Sequence, residues 1–240
     1  MIATDSLPQA VLRAARDLLR PEMLWHALWP PLLALALWSG VAYFAWLPAA
    51  AWIVTLLPEW SWLNWLGNWP AHIAVLLIFA PLVYFSALLL MAVFALPRMM
   101  AIVAARDYPD VSRQGSFSAA LWGSLANTLA AGAIFIAGWL VTLPLLLIPG
   151  ALLVLPIFWA TWLNQRAFCF DALAEHALPA ERTELIRREK GRLYLAGLVS
   201  ALLAHVPLLN LFSLAFSALL FVHLCLASLR RLRGERGISL

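Results

Sequence analysis

The stretch AHIAVLLIFAPLVYFSALLLMAVFAL, residues 71–96, decides the fold of this chain. It contains no Asp, Glu, Lys or Arg. A helix rises about 1.5 Å per residue, so about 20 apolar residues cross a hydrocarbon core of roughly 30 Å. Residues 24–47 form a second stretch of this kind. The two stretches therefore predict two long transmembrane helices.

The composition places the rest of the chain in the membrane as well. The 240 residues are 64% hydrophobic and 12% charged, whereas a soluble domain has about 25% charged residues. One buried core cannot absorb this apolar excess, so lipid must replace water around much of the surface. We predict an all-α integral membrane protein in which residues 1–240 form a single membrane domain.

Two further apolar regions, 118–166 and 193–229, are each interrupted by a turn sequence and predict helical hairpins. The returning arm of the first hairpin is short and contains Pro156. The arm 193–206 of the second hairpin would be only about 21 Å long as a helix. Both full crossing and partial insertion from the cytoplasmic side fit these lengths.

Residues 5–20 predict an amphipathic helix that lies on the membrane surface. Ser6 and Gln9 have the spacing of a capping box at its start. One stripe of the helix is apolar and another is basic, a pattern typical of interfacial helices. The stripes consist of Leu7, Val11, Ala15 and Leu18, and of Arg13, Arg16 and Arg20.

The basic residues predict the orientation of the chain. All 16 Lys and Arg residues lie in the N-terminal lead, in 98–117, in 166–192 and in the C-terminal tail. The connection 48–70 has none of them and instead carries five tryptophans, which favour the membrane boundary. We expect a multi-pass protein of a bacterial-type inner membrane, and the positive-inside rule predicts that both of its termini lie in the cytoplasm. Basic clusters beside apolar segments suit lipid headgroups and do not indicate nucleic-acid binding.

Sequence motifs of enzymes are absent. There is no phosphate-binding Gly-rich loop, no HExxH and no GxSxG motif. Cys169 and Cys225 are 56 residues apart and belong to no CxxC pair, which favours two inert thiols over a disulfide or a metal site. We predict that the protein is not an enzyme and has no cofactor and no bound metal.

Polar residues inside the apolar segments are the candidate functional residues, because burying them in a membrane is costly. Asn127 lies between small residues that let helices pack closely, and its amide also suits the lining of a pathway. His205 and Asn210 bracket Pro207 at the tip of the second hairpin. They either satisfy backbone groups that the proline frees, or line a water-filled route.

Asp171 and Glu175 are four residues apart, followed by His176, so the two carboxylates share a helix face. A metal site is one interpretation. Neighbouring arginines favour a surface ion-pair network.

Three motifs stand out in the C-terminal half of the chain. They read Asp171-Ala-Leu-Ala-Glu175-His176, Arg187-Arg188-Glu-Lys-Gly191-Arg192 and Val206-Pro207-Leu-Leu-Asn210-Leu211. Together they resemble the etoposide-induced protein family, which includes the CysZ-like sulfate permeases of bacteria. The acidic pair and the Pro-x-x-Asn turn match that family, and the order of elements agrees over nearly the whole chain.

The resemblance implies two full spans, two partly inserted hairpins, a homo-oligomer and passage of sulfate towards the cytoplasm. Two motifs differ from those of the sulfate permeases. Glu22-Met23-Leu24 stands where the permeases carry Gly-Leu-Arg, and Pro97-Arg98-Met99 stands where they carry Pro-Phe-Asn. A carboxylate in place of a glycine is unfavourable chemistry for a dianion.

Two functions fit these observations. The first is a channel or permease for a small inorganic anion such as sulfate, with Asn127, His205 and Asn210 as lining groups. The second is a non-transporting membrane protein that organises lipid or the cell envelope, or acts as a scaffold. The lipid bilayer is a partner in both.

Overall fold

The computed structural model describes residues 6–56, 67–112 and 117–237 of the chain. These residues form helices and contain no strand. In chain order the helices are α1 (Leu7–Leu18), α2 (Pro21–Leu56), α3 (Trp69–Leu90), a π-helical turn (Met91–Ala95), α4 (Leu96–Asp107), α5 (Phe117–Thr142), a 3₁₀ turn (Leu143–Leu147), α6 (Ala151–Ala174), α7 (Pro179–Arg188), α8 (Lys190–Ala204) and α9 (Pro207–Glu235).

Within the described ranges, four helical stretches are long and apolar enough to cross a membrane: Pro21–Leu56, Trp69–Asp107, Trp122–Leu147 and Phe212–Glu235. In each of the first three helical stretches, only 6% of the most apolar 18-residue segment is buried within the protein. In the last, which belongs to α9, 78% is buried. The first three therefore present apolar surface to lipid, whereas α9 is enclosed by protein. The predicted class, an all-α membrane protein, is confirmed.

The two long apolar helices extend beyond their predicted ends. α2 continues past Pro48 to Leu56, and α3 continues through the π-helical turn and α4 to Asp107. Prolines within a span are tolerated because lipid gives no competing hydrogen bonds and neighbouring groups satisfy the freed carbonyls. Of the tryptophans predicted at the outer boundary, Trp52 and Trp69 are exposed. Trp60, Trp62 and Trp65 lie outside the described residues.

Leu24–Pro97 form one compact unit. Its helices α2 and α3 pack through small and β-branched side chains, namely Ala50, Ile53, Ala71 and Val75. Two indole N–H groups add hydrogen bonds between the helices. Trp38 Nε1 donates to Ser86 Oγ at 2.9 Å, and Trp46 Nε1 donates to His72 Nδ1 at 3.0 Å. The pair is thus joined at two levels along its length.

Met1–Met23 together with Arg98–Leu240 form the other compact unit. Its centre is α9, against which α1, α6, α7 and α8 pack. α6 also packs between α5 and α8. The buried side chains of α9 include Leu219, Phe221 and Leu226, and also the polar Ser217 and His223. A helix with polar groups on several sides finds hydrogen-bond partners only inside protein, which explains its central place.

The turns of both predicted hairpins lie where the sequence placed them. The first hairpin turns through Leu143–Leu147 and then Gly150, whose φ of 86° is a left-handed conformation that favours glycine. The second turns at His205 and Val206, since α8 ends at Ala204 and α9 begins at Pro207. A proline suits the first position of a helix because its missing N–H has no helical partner there.

The predicted N-terminal helix also forms, with the predicted cap. The backbone N–H of Ser6 donates to Gln9 Oε1 at 2.9 Å. Ala10, Ala14 and Asp17 form its buried face, which packs in the unit built around α9. The basic row Arg13, Arg16 and Arg20 is exposed, and the predicted apolar stripe is half-buried. The sequence pattern did not indicate that an alanine stripe ending in an aspartate docks on protein.

Candidate functional site

A close helix contact near the candidate polar residues joins α6 and α8. A Cβ added to Gly197 would lie 2.5 Å from the backbone oxygen of Thr161 and 3.3 Å from the Cβ of Gln165. Glycine is therefore required for the two backbones to approach so closely. Gln165 is buried, and so is Ser200, which follows Gly197 by one helical turn. This approach brings polar side chains of both helices into the interior.

Three uncharged polar side chains on the packed helices α5, α6 and α8 have a buried atom without a hydrogen-bond partner within the described part of the chain, as does the charged Arg166 of α6 through Nε. The three uncharged residues are Asn127 through Nδ2, Thr161 through Oγ1 and Ser200 through Oγ. A buried polar group without a partner costs about 1–3 kcal/mol. We call these three residues the buried polar row. Groups of this kind are rare in native proteins, where ordered water or a bound ion commonly satisfies them.

Asp171, one of the predicted acidic pair, lies near the C-terminal end of α6. Its carboxylate accepts a hydrogen bond from Ser124 Oγ of α5. Burial raises the pKa of the Asp171 carboxyl, and the bond from Ser124 opposes this rise. Glu175 is the C-cap residue of the same helix. The partner of Asp171 is thus a hydroxyl group, whereas the sequence pattern favoured an arginine.

The predicted tip residues His205, Pro207 and Asn210 lie at the turn between α8 and α9 or within the first turn of α9. The ring Nδ1 of His205 lies 2.7 Å from the carbonyl oxygen of Ala201, to which it donates. The Asn210 backbone N–H donates to the Val206 carbonyl oxygen at 2.8 Å, and its own carbonyl accepts from Ser213 Oγ at 2.8 Å. The His205 contact satisfies the end of α8, while the Asn210 side chain is exposed.

A second cluster of polar residues joins α1, α4 and α9. His223, which is 1% exposed in the middle of α9, lies with Nε2 at 2.8 Å from Asp17 Oδ2. The Tyr108 hydroxyl lies 3.1 Å from His223 Nδ1. If Nε2–H donates to Asp17, Nδ1 is the acceptor for Tyr108, and both ring nitrogens are satisfied. We call this cluster, with Arg106 and Asp107, the α1–α4–α9 network.

Arg106 supplies the positive charge of the α1–α4–α9 network. Its Nη2 lies 2.8 Å from Asp17 Oδ2, and its Nε and Nη2 lie 2.7 and 2.9 Å from the two oxygens of Asp107. Arg20 adds a contact at 3.0 Å to the other oxygen of Asp17. One ligand atom each of Asp17, Asp107 and His223 lie within 4.8 Å of one another, a spacing that would suit a metal ion. The arginines already balance both carboxylates, so ion pairing explains the arrangement.

A buried ion pair fixes α7 against α9. Glu181 and Arg233 are 4% and 1% exposed, and both carboxylate oxygens lie 3.0 Å from guanidinium nitrogens. Arg233 Nη2 also donates to the His176 carbonyl oxygen at 2.6 Å. The hydrogen bonds from Arg233 hold the pKa of Glu181 below its usual range. The basic tail therefore contains at least one arginine whose role is structural.

The two cysteines lie side by side, which their separation in sequence did not suggest. Cys169 of α6 and Cys225 of α9 are fully buried free thiols with sulfur atoms 3.5 Å apart. Sequence reasoning missed this pair and the α1–α4–α9 network for the same reason. The cysteine pair and the contact of Asp17 with His223 both join residues more than 50 positions apart. For the network, the signal in the sequence was a histidine, His223, within an apolar segment.

The comparisons with known proteins give one match. Residues 10–214 match the family model described as sulfate transporter CysZ/etoposide-induced protein 2.4. No curated protein sequence and no solved structure matches the chain.

Proposed function

Since the chain belongs to the sulfate transporter CysZ/etoposide-induced protein 2.4 family, we propose that it is a channel or permease for a small inorganic anion such as sulfate. The family and the apolar helices establish a multi-pass membrane protein with a sulfate-transporter-like architecture. The solute and the act of transport are the proposed part.

The buried polar row carries the proposal. Asn127, Thr161 and Ser200 place an amide N–H and two hydroxyl groups without partners, among the described residues, on helices that pack side by side. Neutral N–H and O–H donors bind a desolvated anion without fixing it as tightly as an arginine would. Conduction needs binding that is favourable enough for entry and weak enough for release.

Exposed cationic residues would raise the anion concentration at one mouth of this route. Arg13 and Arg16 of α1, Arg20 just after it and Lys190 at the start of α8 are exposed. Charges of one sign around an opening concentrate and steer ions of the opposite sign. By the positive-inside rule this mouth faces the cytoplasm of a bacterial-type inner membrane, with both termini on that side. The resemblance also supports a homo-oligomer.

Flux through proteoliposomes tests the proposal directly. Purified protein should pass radiolabelled sulfate, or another small oxyanion, faster than empty vesicles do. Asn127→Ala and Ser200→Ala should each change this flux because they remove a donor from the row. Thr128→Ala, on the exposed side of α5, is the matched control and should leave flux unchanged.

The predicted tip residues give a second readout. His205→Ala and Asn210→Ala should alter flux if the turn between α8 and α9 opens into the route. If they change only the melting temperature, the tip is structural and the route ends elsewhere. Flux equal to that of empty vesicles for a dozen small anions would refute transport.

One observation favours the second function, a membrane protein that organises lipid. On α1, the exposed Leu12 and Leu19 flank the exposed Arg16 at helical spacing, with side-chain exposures of 50% and 71% for the leucines. An apolar and basic outer face suits an anionic lipid surface. If the protein organises lipid, the double variant Leu12→Ser, Leu19→Ser of the full 240-residue chain should bind anionic lipid vesicles more weakly than the wild type does. The same variant should leave any anion flux unchanged.

A further inference from the structure

Asp171 is a partly buried carboxylate whose hydrogen-bond partner among the described residues is a neutral hydroxyl group. Its contact in the described part of the chain is the hydrogen bond from Ser124 Oγ. No Lys or Arg of the described residues forms an ion pair with it, although ion pairs occur at Asp17, Asp110, Glu181 and Glu184. A desolvated carboxylate is costly unless it is paired or bound to a cation.

Arg182 contacts the residue that precedes Asp171 in the chain. The guanidinium of Arg182 stacks on the ring of Phe170, with 4.1 Å between Cζ and the ring centroid. Phe170 is the chain neighbour of Asp171, and its ring also packs on Gly123, next to Ser124. Arg182 therefore stacks on an aromatic ring and forms no ion pair with the Asp171 carboxylate.

We propose that Asp171 and Ser124 bind a monovalent cation of the Na⁺ class between α5 and α6. Hard cations prefer oxygen ligands, and here a carboxylate and a hydroxyl already converge. One carboxylate supplies a single negative charge, which balances a monovalent ion and leaves a divalent ion unbalanced.

Asn127 supplies a third oxygen for this site. It follows Ser124 by three residues on α5, so the two side chains are neighbours on the helix surface. Its Nδ2 has no hydrogen-bond partner among the residues that the structure describes. With the amide oxygen turned towards Asp171, the site gains a neutral ligand.

The cation site does not depend on the proposed anion transport, but it would assist it. An anion passing the buried polar row would be repelled by a bare carboxylate on α6. A cation at Asp171 neutralises that charge. Binding of the cation is measured without any flux, so failure of one proposal leaves the other testable.

Thermal melting of the detergent-purified full chain tests the site. The melting temperature should rise with NaCl and saturate, compared with N-methylglucamine chloride at equal ionic strength. Asp171→Asn should remove the difference between the two salts. It is nearly isosteric and removes a charge, so the variant should remain folded. Glu184→Gln is the matched control, because its carboxylate is paired with Arg187 and Arg188 and should play no part.

A direct measurement completes the test. Equilibrium binding of ²²Na⁺ should give one site per chain, weakened at least tenfold in Ser124→Ala and absent in Asp171→Asn. Melting that depends on pH alone, with no difference between the two salts, would mean that a proton neutralises Asp171 and would overturn the proposal. A salt effect that persists in Asp171→Asn would overturn it too.

Discussion

Replacing Gly197 with alanine tests the close approach of the α6 and α8 backbones. The new Cβ would lie 2.5 Å from the Thr161 carbonyl oxygen, whereas ordinary contacts begin at 3.4 Å. The obstacle is a backbone atom in the middle of α6, so no side-chain rotation can relieve the clash. The helices α6 and α8 must move apart or α8 must bend.

The expected cost follows from a matched pair of variants on the same helix. Gly191→Ala introduces the same methyl group where nothing lies within 4 Å. Both variants gain helix propensity, up to about 1 kcal/mol for glycine to alanine. Only Gly197→Ala also overpacks the contact, at about 1–3 kcal/mol. The difference between the two variants therefore estimates the steric cost alone.

Thermal melting in detergent, followed by size-exclusion chromatography, measures this difference. For a chain of this size, each kcal/mol corresponds to about 2–4 °C, and we expect Gly197→Ala to melt below Gly191→Ala by that amount or more. A contrasting pair sharpens the result. A Cβ at Gly138 meets the Trp159 side chain, so Trp159→Leu should rescue Gly138→Ala, whereas no such rescue exists at Gly197. Equal melting of Gly197→Ala and Gly191→Ala would refute the close contact of α6 and α8.

Three other predictions concern contacts around α9. Glu181→Gln leaves Arg233 buried without its partner and should cost about 3–5 kcal/mol at pH 7. The pKa of Glu181 is lowered in the folded protein. The stabilisation by the ion pair is therefore fully present at pH values above the ordinary pKa of 4.5, and it is lost as the pH falls through the lower pKa of the folded state. The melting temperatures of the wild type and of the variant should therefore converge in acid. Copper phenanthroline should join Cys169 and Cys225 in an intramolecular disulfide, detected by mass spectrometry as the loss of two hydrogens, since their sulfur atoms are 3.5 Å apart and need to close to about 2 Å. Asp17→Asn removes the charge that ties α1 to Arg106, so trypsin should cleave within α1 faster than in the wild type.

Each of these has its own control. Glu184→Gln changes a partly exposed acid of the same helix, whose arginine partners are exposed, and should have a small effect on melting at any pH. Cys169→Ser should abolish the intramolecular product, and crosslinks only between chains would contradict the contact of α6 and α9. Asp110→Asn removes another acid that pairs with an arginine, outside α1. If it exposes α1 to trypsin as much as Asp17→Asn does, the network does not hold α1 specifically.

The amino-acid sequence by itself determined the features that depend on neighbouring residues. The apolar run 71–96, the Ser6–Gln9 cap and the turns at Gly150 and Pro207 are local, because helix length, capping and chain reversal each depend on a few adjacent residues. Membership of the family also came from linear motifs, and residues 10–214 confirm it. The candidate residues Asn127 and Asp171 stood out for the same reason, as polar groups in or beside apolar segments.

Only the tertiary structure decided which of these groups meet. That α9 is enclosed by protein while α2, α3 and α5 face lipid does not follow from hydropathy, since all four are apolar enough to span. The contacts of Asp17 with His223 and of Cys169 with Cys225 join residues 206 and 56 positions apart. Such pairings depend on how helices pack, and packing is set by shape, as at Gly197, where the absence of one side chain lets two backbones touch.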